Sequence, residues 1–345
     1  MVGPGDDAAV VRPRPRWDLV MTCDAQVAGR HFLPEWMTPR QIGRRIMEVN
    51  LSDVAAMGAD PLYALVSLGL PASMLVAEVE SLHEGFADAL EPHGAAVIGG
   101  NLSGVEGAWF CDIAMTGQAP RNRALLRRHA QPGDRILVTG SPGRSAAGLR
   151  TLRAIAETIP KRFRNDRTRL ADGLDSWRAS RPWSVPLVSA YLDPRAQVEA
   201  GRLLRGSVNA LIDLSDGLPG DLLRVCEASG LDARIDAVRL PDDPELREAA
   251  AHFGASPLDF VLGPSDDYQL LMAVEASNAP RVISMIRRRT GAFVTDVGEF
   301  IERGSGKPRV LLRPPKGAAS GRRGTPSAGL AGWDHFLPGP PNHRS

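Results

Sequence analysis

Short apolar runs alternate along most of this chain with longer stretches whose apolar residues recur every three or four positions. The first kind suits a buried strand and the second an amphipathic helix, so the alternation restricts the chain to an α/β class built of layered sheets and helices. "DLVMTCD" (18–24) reads as a strand ending at Asp24. Thr38-Pro39 reads as a helix cap with proline in the first turn, and Ile42, Ile46 and Val49 share one face of the helix that follows. A second helix is expected over 72–91, with Leu75, Val79, Leu82, Phe86 and Leu90 in register, then strands at "AAVIGG" (95–100) and "WFCDIAMTG" (109–117). A basic seam at 118–133 closes on a turn, and a new series begins: strand "RILVTG" (135–140), loop "SPG", helix "RSAAGLRTLRAIAETI", and strands "VNALID" (208–213) and "YQLLMAV" (268–274). The expectation is two α/β domains, 1–125 and 126–345, with 160–186 irregular and 303–328 irregular apart from "RVLL".

Composition removes several functions. Hydrophobic residues make up 43% of the 345, enough for a sizeable core, and a net charge of +1 gives no pull toward nucleic acid or a membrane. The only lysines are Lys161, Lys307 and Lys316, none followed by Ser or Thr, which excludes a phosphate-binding P-loop. Cys23, Cys111 and Cys226 are too far apart for a zinc site or a disulfide framework, and a reducing cytoplasm suits them. No apolar stretch approaches membrane-spanning length, so neither leader nor anchor is expected.

The placement of the aspartates is more informative. Asp7 lies in a glycine turn, Asp24 at an expected strand end, Asp53 in "NLSD", Asp213 and Asp216 in "IDLSDG", and Asp266-Asp267 in "GPSDDYQLL". Singly, an acid beside Gly, Ser or Asn reads as a turn residue or helix cap. Gathered together, carboxylates cannot all stay ionised without a compensating cation, and oxygen-only ligands select a hard ion such as Mg²⁺, which keeps several waters and bridges to phosphates. "IGGNLSG" (98–104) and "TGSPGRS" (139–145) follow expected strands and can bring backbone amides to a phosphate, although "GSPG" also reads as a plain tight turn. The run "RNRALLRR" (121–128) reads first as a solvated helix face and second as a source of arginines for a polyphosphate. His31 alone reads as a half-buried loop histidine and Trp333 as a terminal aromatic packed on the core, although an aromatic face also suits a cationic ring.

Taken together and in order, "GDDAAVV", "TCDAQVAGRHFL", "NLSDVAAMGADPL", "IGGNLSG", "RALLRRHAQPGDRILVTGSPGRSAAGL", "IDLSDGL", "DDYQLL" and "GWDHF" resemble the thiamine-monophosphate kinase family. That family belongs to the superfamily of aminoimidazole ribonucleotide synthetase. The resemblance implies a two-domain fold of that type: an N-terminal domain that binds ATP and Mg²⁺ and dimerises, and a C-terminal α/β domain. It implies transfer of the γ-phosphoryl of ATP to thiamine monophosphate, giving thiamine diphosphate, in a homodimer; cysteine usage, near-neutral charge and the lack of long apolar stretches add the expectation of a cytoplasmic protein without nucleic-acid or membrane partners. It further implies that Asp7, Thr22, Cys23, Asp24, Asp53, Asn101, Asp213 and Asp216 hold several Mg²⁺ ions, with Asp53, Asp213 and Asp216 carrying the catalytic step. Gly100, Asn101, Arg127 and Ser215 match ATP-contacting positions, and His31, Asp266 and Trp333 match positions near the thiamine substrate. Asn101 stands where the family commonly has Asp, and "GPSDDYQL" replaces "GGEDYEL", which puts the shorter Asp266 in place of Glu. These two departures keep open a related ATP-dependent enzyme acting on another small phosphate or carboxylate, and a homologue that binds nucleotide without catalysis.

Overall fold

The computed structural model describes residues 13–163 and 166–314. The first half is built of β1 (Trp17–Val27), α1 (Pro39–Ala56), β2 (Asp60–Leu70), α2 (Val76–Leu90), β3 (Ala96–Gly104) and β4 (Phe110–Pro120). Thr38 starts α1 with a reciprocal cap. Its hydroxyl accepts the Gln41 amide, the Gln41 side chain accepts the Thr38 amide, and proline occupies the first turn where no amide partner is required. The strands form one sheet of order β1-β4-β2-β3, in which only the β2–β3 pair is parallel. α1 and α2 cross this sheet in close contact with each other. A Cβ on Gly43 would collide with the Leu82 carbonyl oxygen, and one on Gly85 with that of Arg40. The opposite face of the sheet carries Leu19, Met21 and Leu65, which are 51%, 69% and 46% exposed.

The second half comprises β5 (Arg135–Thr139), α3 (Arg144–Thr158), α4 (Arg167–Ser180), α5 (Ser184–Leu192), α6 (Val198–Leu204), β6 (Ala210–Asp213), α7 (Leu218–Ser229), β7 (Asp232–Asp236), α8 (Pro244–His252), α9 (Pro257–Val261), β8 (Leu270–Val274), α10 (Ala279–Thr290), β9 (Val294–Ile301) and β10 (Val310–Arg313). Its sheet has the order β10-β7-β9-β5-β8-β6. Both faces are covered, which is why β8 reads as an unbroken apolar run. Leu270, Met272 and Val274 join the apolar cluster that also holds Val20, Ile46 and Ile113 of the first half, while Leu271 and Ala273 face a second cluster with Ile136, Val138 and Leu222. α6 docks on α1 so closely that a Cβ on Gly201 would strike the Ala55 carbonyl oxygen. Among the described residues no helix is long and apolar enough to cross a membrane.

Several local expectations are corrected. β1 continues past Asp24 to Val27, paired throughout with β4, so Asp24 lies within a strand. Leu75 is the exposed residue that precedes α2, outside its apolar stripe. Gly99, Gly100 and Asn101 are paired residues of β3. The run 121–128 is not helical, because its backbone is committed to distant partners: Leu125 N–H donates to Met57 O, and Leu126 O accepts Leu211 N–H. The segment 160–186 holds α4 and the start of α5. Asp166 caps α4 by accepting the Thr168 and Arg169 amides, and Leu170 and Leu174 are buried one turn apart beneath an otherwise charged surface. Residues 303–309 are irregular, as expected, and 315–328 lie outside the described residues.

Candidate functional site

Two neighbouring residues near the end of α1 reach toward different sheets. The Asp53 carboxylate accepts the hydroxyl of Thr22 on β1 at 2.5 Å, and the Ser52 hydroxyl donates to Asp213, the last residue of β6, at 2.7 Å. Asp24 lies two residues along β1 from Thr22, hence on the same sheet face, and accepts Gln26 Nε2 at 3.2 Å. Thr22, Asp24, Asp53 and Asp213 therefore meet at the seam between the two sheets. Burial pushes the Asp213 carboxyl up to about 7, with facing Asp53 adding to the shift, and pushes Asp24 up to about 6 by the same two causes in the same order. Asp53 is also raised, chiefly by burial. Among the described residues no arginine or lysine forms an ion pair with any of the three. Arg127, exposed in the connector after β4, lowers Asp53 and Asp213 through its field alone.

The turn after β6 carries the next pair. Ser215 and Asp216 donate their amides to one oxygen of Asp221, each at 3.0 Å, and Asp221 is fully buried. Gly217 makes this turn possible: its φ of 107° lies in the region that favours glycine, and a Cβ would meet the Gly263 carbonyl oxygen. The Asp216 carboxylate is ion-paired with Arg224, which also bonds Asp221 at 2.9 Å.

The loop 263–267 decides between the two readings of "TGSPGRS". The amides of Gly143 and Ser145, at the start of α3, donate to Asp267 at 2.6 and 2.9 Å, so the "TGSPGRS" amides are committed to a carboxylate of the chain itself. Burial raises Asp267 to about 6. Its neighbour Asp266 accepts the Arg45 guanidinium on one oxygen and the Ser145 hydroxyl on the other. Arg45 was not anticipated from the sequence. It is 1% exposed, bonds the Tyr191 carbonyl and lies 4.6 Å from the Tyr191 ring centroid. The signal was present, because position 45 falls on the apolar stripe of Ile42, Ile46 and Val49, where a charge demands a partner. Tyr268 was also missed. Its φ is 50°, its ring is buried, and its phenol is raised by burial and then by Asp266, with smaller effects from Asp24 and Asp213. It thus sits between the acid group and the Asp266 loop.

Other anticipated residues stand apart. Strand alternation puts the Cys23 thiol on the opposite face of the first sheet, hydrogen-bonded to Asp112 at 3.2 Å. Asn101 shares that face, in register with Ser67 and Asp112, and donates to Ser103 Oγ at 3.0 Å. The side chains of Cys23 and Asn101 therefore do not join the acids within one chain. Gly100 and Asn101 line a hollow of about 430 Å³ at the β3 edge, together with Val66, Leu68, His83 and Leu102. His31 lies half-buried in the turn after β1, where its Nδ1 accepts the Val27 amide at 2.9 Å. Asp7 and Trp333 lie outside the described residues.

Among the described residues, no three His, Cys, Asp or Glu side chains gather closely enough to hold a metal ion by themselves. The chemistry of the donor set nevertheless fits a hard divalent cation. Asp24, Asp53 and Asp213 are oxygen donors without an ion-paired arginine or lysine among the described residues, and Mg²⁺ takes several ligands from water and phosphate.

The layered halves and the acids at their seam define a recognisable class of protein. Residues 5–119 match the family model of the AIR synthase related protein N-terminal domain, and 131–311 match that of the C-terminal domain. A thiamine-monophosphate kinase of Escherichia coli (strain K12) is 35% identical over 277 residues, spanning 80% of this chain and 77% of its own. A solved thiamine-monophosphate kinase from Stenotrophomonas maltophilia superposes with a TM-score of 0.76 at 30% identity, covering 90% of both chains. A further solved structure, AaThiL complexed with AMPPCP and TMP, superposes with a TM-score of 0.73 at 27% identity, covering 94% of this chain and 89% of that one. The chain belongs to the thiamine-monophosphate kinase family.

Proposed function

We propose that this protein transfers the γ-phosphoryl group of ATP to thiamine monophosphate, forming thiamine diphosphate and ADP. The observation that carries the reading is the group of carboxylates Asp24, Asp53 and Asp213, without an ion pair among the described residues and gathered beside Arg127, in a chain whose relatives are named for this reaction. A phosphate oxygen of the acceptor attacks the γ-phosphorus, the bond to the β–γ bridging oxygen breaks, and ADP leaves with that electron pair. The acceptor is already an anion, so no strong general base is required, and the work is positioning and neutralisation of charge. When bound, Mg²⁺ supplies that neutralisation between two polyanions. Asp24, Asp53, Asp213 and Asp216 are the residues that would hold it, with Asp7 contributing from outside the described residues. Arg127, exposed and without an ion pair among the described residues, suits a phosphate of ATP, and Ser215, Gly100 and Asn101 are the further nucleotide contacts. His31, Asp266 and Trp333 are proposed for the thiamine side.

A second copy of the chain is proposed to cover the uncovered face of the first sheet. Leu19, Met21 and Leu65 form an apolar patch there, and Asn101 shares the face, so a dimer would bring a nucleotide-contacting position to the interface. Free Cys23, Cys111 and Cys226 support a reducing, cytoplasmic setting. The commitment of both Asp266 oxygens to Arg45 and Ser145 favours one alternative, in which the same transfer is made to a different small phosphate or carboxylate. Purified protein incubated with ATP, Mg²⁺ and thiamine monophosphate should form thiamine diphosphate. Its absence, from protein shown to be folded and to bind ATP, would overturn the reading, and ATP turnover with another acceptor would establish the alternative.

A further inference from the structure

One acid of the proposed metal set differs from the others in its company. Asp24, Asp53 and Asp213 have neutral donors, Gln26, Thr22 and Ser52, whereas Asp216 is ion-paired with Arg224. The same guanidinium bonds Asp221, three residues earlier on α7, at 2.9 Å. Asp221 cannot follow a moving partner, because it is fully buried and its other oxygen holds the amides of Ser215 and Asp216. Arg224 is thus tethered to a fixed acid, while its second arm reaches Asp216 from the solvent side. The arginine side chain is 41% exposed and that of Asp216 is 14% exposed.

We propose that Arg224 is a positioning residue that serves as an internal counter-ion for Asp216, and that a divalent cation must displace it from that acid. The proposal rests on the reading of Asp216 as a metal ligand. A partly exposed ion pair is weak, so Arg224 competes with the cation without barring it. Once nucleotide phosphates occupy the site, the displaced guanidinium meets a new anionic partner suited to its planar fork. Displacement is then offset only in the nucleotide-bound state. Arg224 therefore makes metal affinity conditional on nucleotide, a coupling between two ligands that works in both directions.

The test is titration of Mn²⁺ into the full-length protein, alone and with a non-hydrolysable ATP analogue, read as free Mn²⁺ by electron paramagnetic resonance. Without nucleotide, Arg224→Gln should bind Mn²⁺ about fivefold more tightly than wild type, as expected for loss of a weak competing ion pair. The gain in Mn²⁺ affinity caused by the analogue should shrink by a similar factor, and Asp216→Asn should weaken binding whatever stands at 224. Equal affinity in Arg224→Gln and wild type, with Asp216→Asn still weakening binding, overturns the counter-ion role and leaves the metal reading standing. Wild-type affinity in Asp216→Asn removes that acid from the metal's ligands and takes the proposal with it. Arg224→Lys, which keeps a cation but loses the fork across two acids, should fall between wild type and Arg224→Gln. Tighter binding by the lysine variant than by the glutamine variant also counts against the proposal.

Discussion

Asp53 and Asp213 are exposed to opposite demands, since catalysis wants them charged and burial wants them neutral. Asp53→Ala and Asp213→Asn should each lower turnover at least about a hundredfold, the scale of losing one transition-state electrostatic contact. Circular dichroism and melting should show both variants folded, and near-normal rates in both would remove the acid group from the mechanism. The pH dependence follows from the same burial. Asp213 is raised to about 7, so its proton is held more tightly in the folded than in the unfolded chain. Its contribution to stability is complete below about pH 4 and is lost as pH rises to about 7. Metal-free Asp213→Asn should therefore lose less melting temperature between pH 5 and pH 8 than wild type does; parallel curves would contradict the assignment. Arg45 makes a different prediction. Truncating one member of a fully buried ion pair costs about 3–5 kcal/mol; Asp266 is 26% exposed, so Arg45→Met should be destabilised by less, about 2–3 kcal/mol, in denaturant unfolding. A loss under about 1 kcal/mol would mean that Asp266 and the Tyr191 carbonyl do not depend on it. At this scale the sequence was legible wherever an acid stood beside a small polar residue at an element's edge. It was less legible at Arg45, whose partners lie far along the chain.

At the scale of elements, the start of α3 shows why local reading fails. A glycine turn before a helix offers the same amides to a phosphate or to a carboxylate, and nothing between 139 and 145 reveals that Asp267 takes them. Asp267→Ala should cost about 2 kcal/mol, combining a lost helix cap with buried amides left without an acceptor. Thermal and denaturant melting would check this, and an unchanged midpoint would show that water replaces the carboxylate without penalty. The order of strands and helices was largely readable, because a short unbroken apolar run such as "RILVT" differs clearly from a recurrence every three to four residues such as Ile42-Ile46-Val49. α4 was not. Its buried stripe is narrow, its outer surface is rich in arginine, and the prolines around it suggested a loop. The reading of 121–128 as a helix failed for the converse reason, since a helical charge pattern was overridden by backbone bonds to Met57 and Leu211.

For the whole molecule, the open face of the first sheet is the testable surface. Met21→Glu places a charge in the patch with Leu19 and Leu65, and the proposed dimer should then sediment as a monomer while each chain keeps its secondary structure. A wild-type protein that is monomeric at all concentrations would remove the proposed second copy. The expected seam near 125 falls between the two matched family domains, and contacts cross it: α6, encoded well after it, rests against α1 with no room for one methyl group at Gly201. Exchange of genetic material between relatives meets that obstacle directly. A chimera joined at the basic connector would set a foreign α6 against the resident α1, and one added carbon at position 201 would pry them apart. Viable crossovers at the place where the chain looks easiest to cut should therefore be those that keep a glycine at this contact.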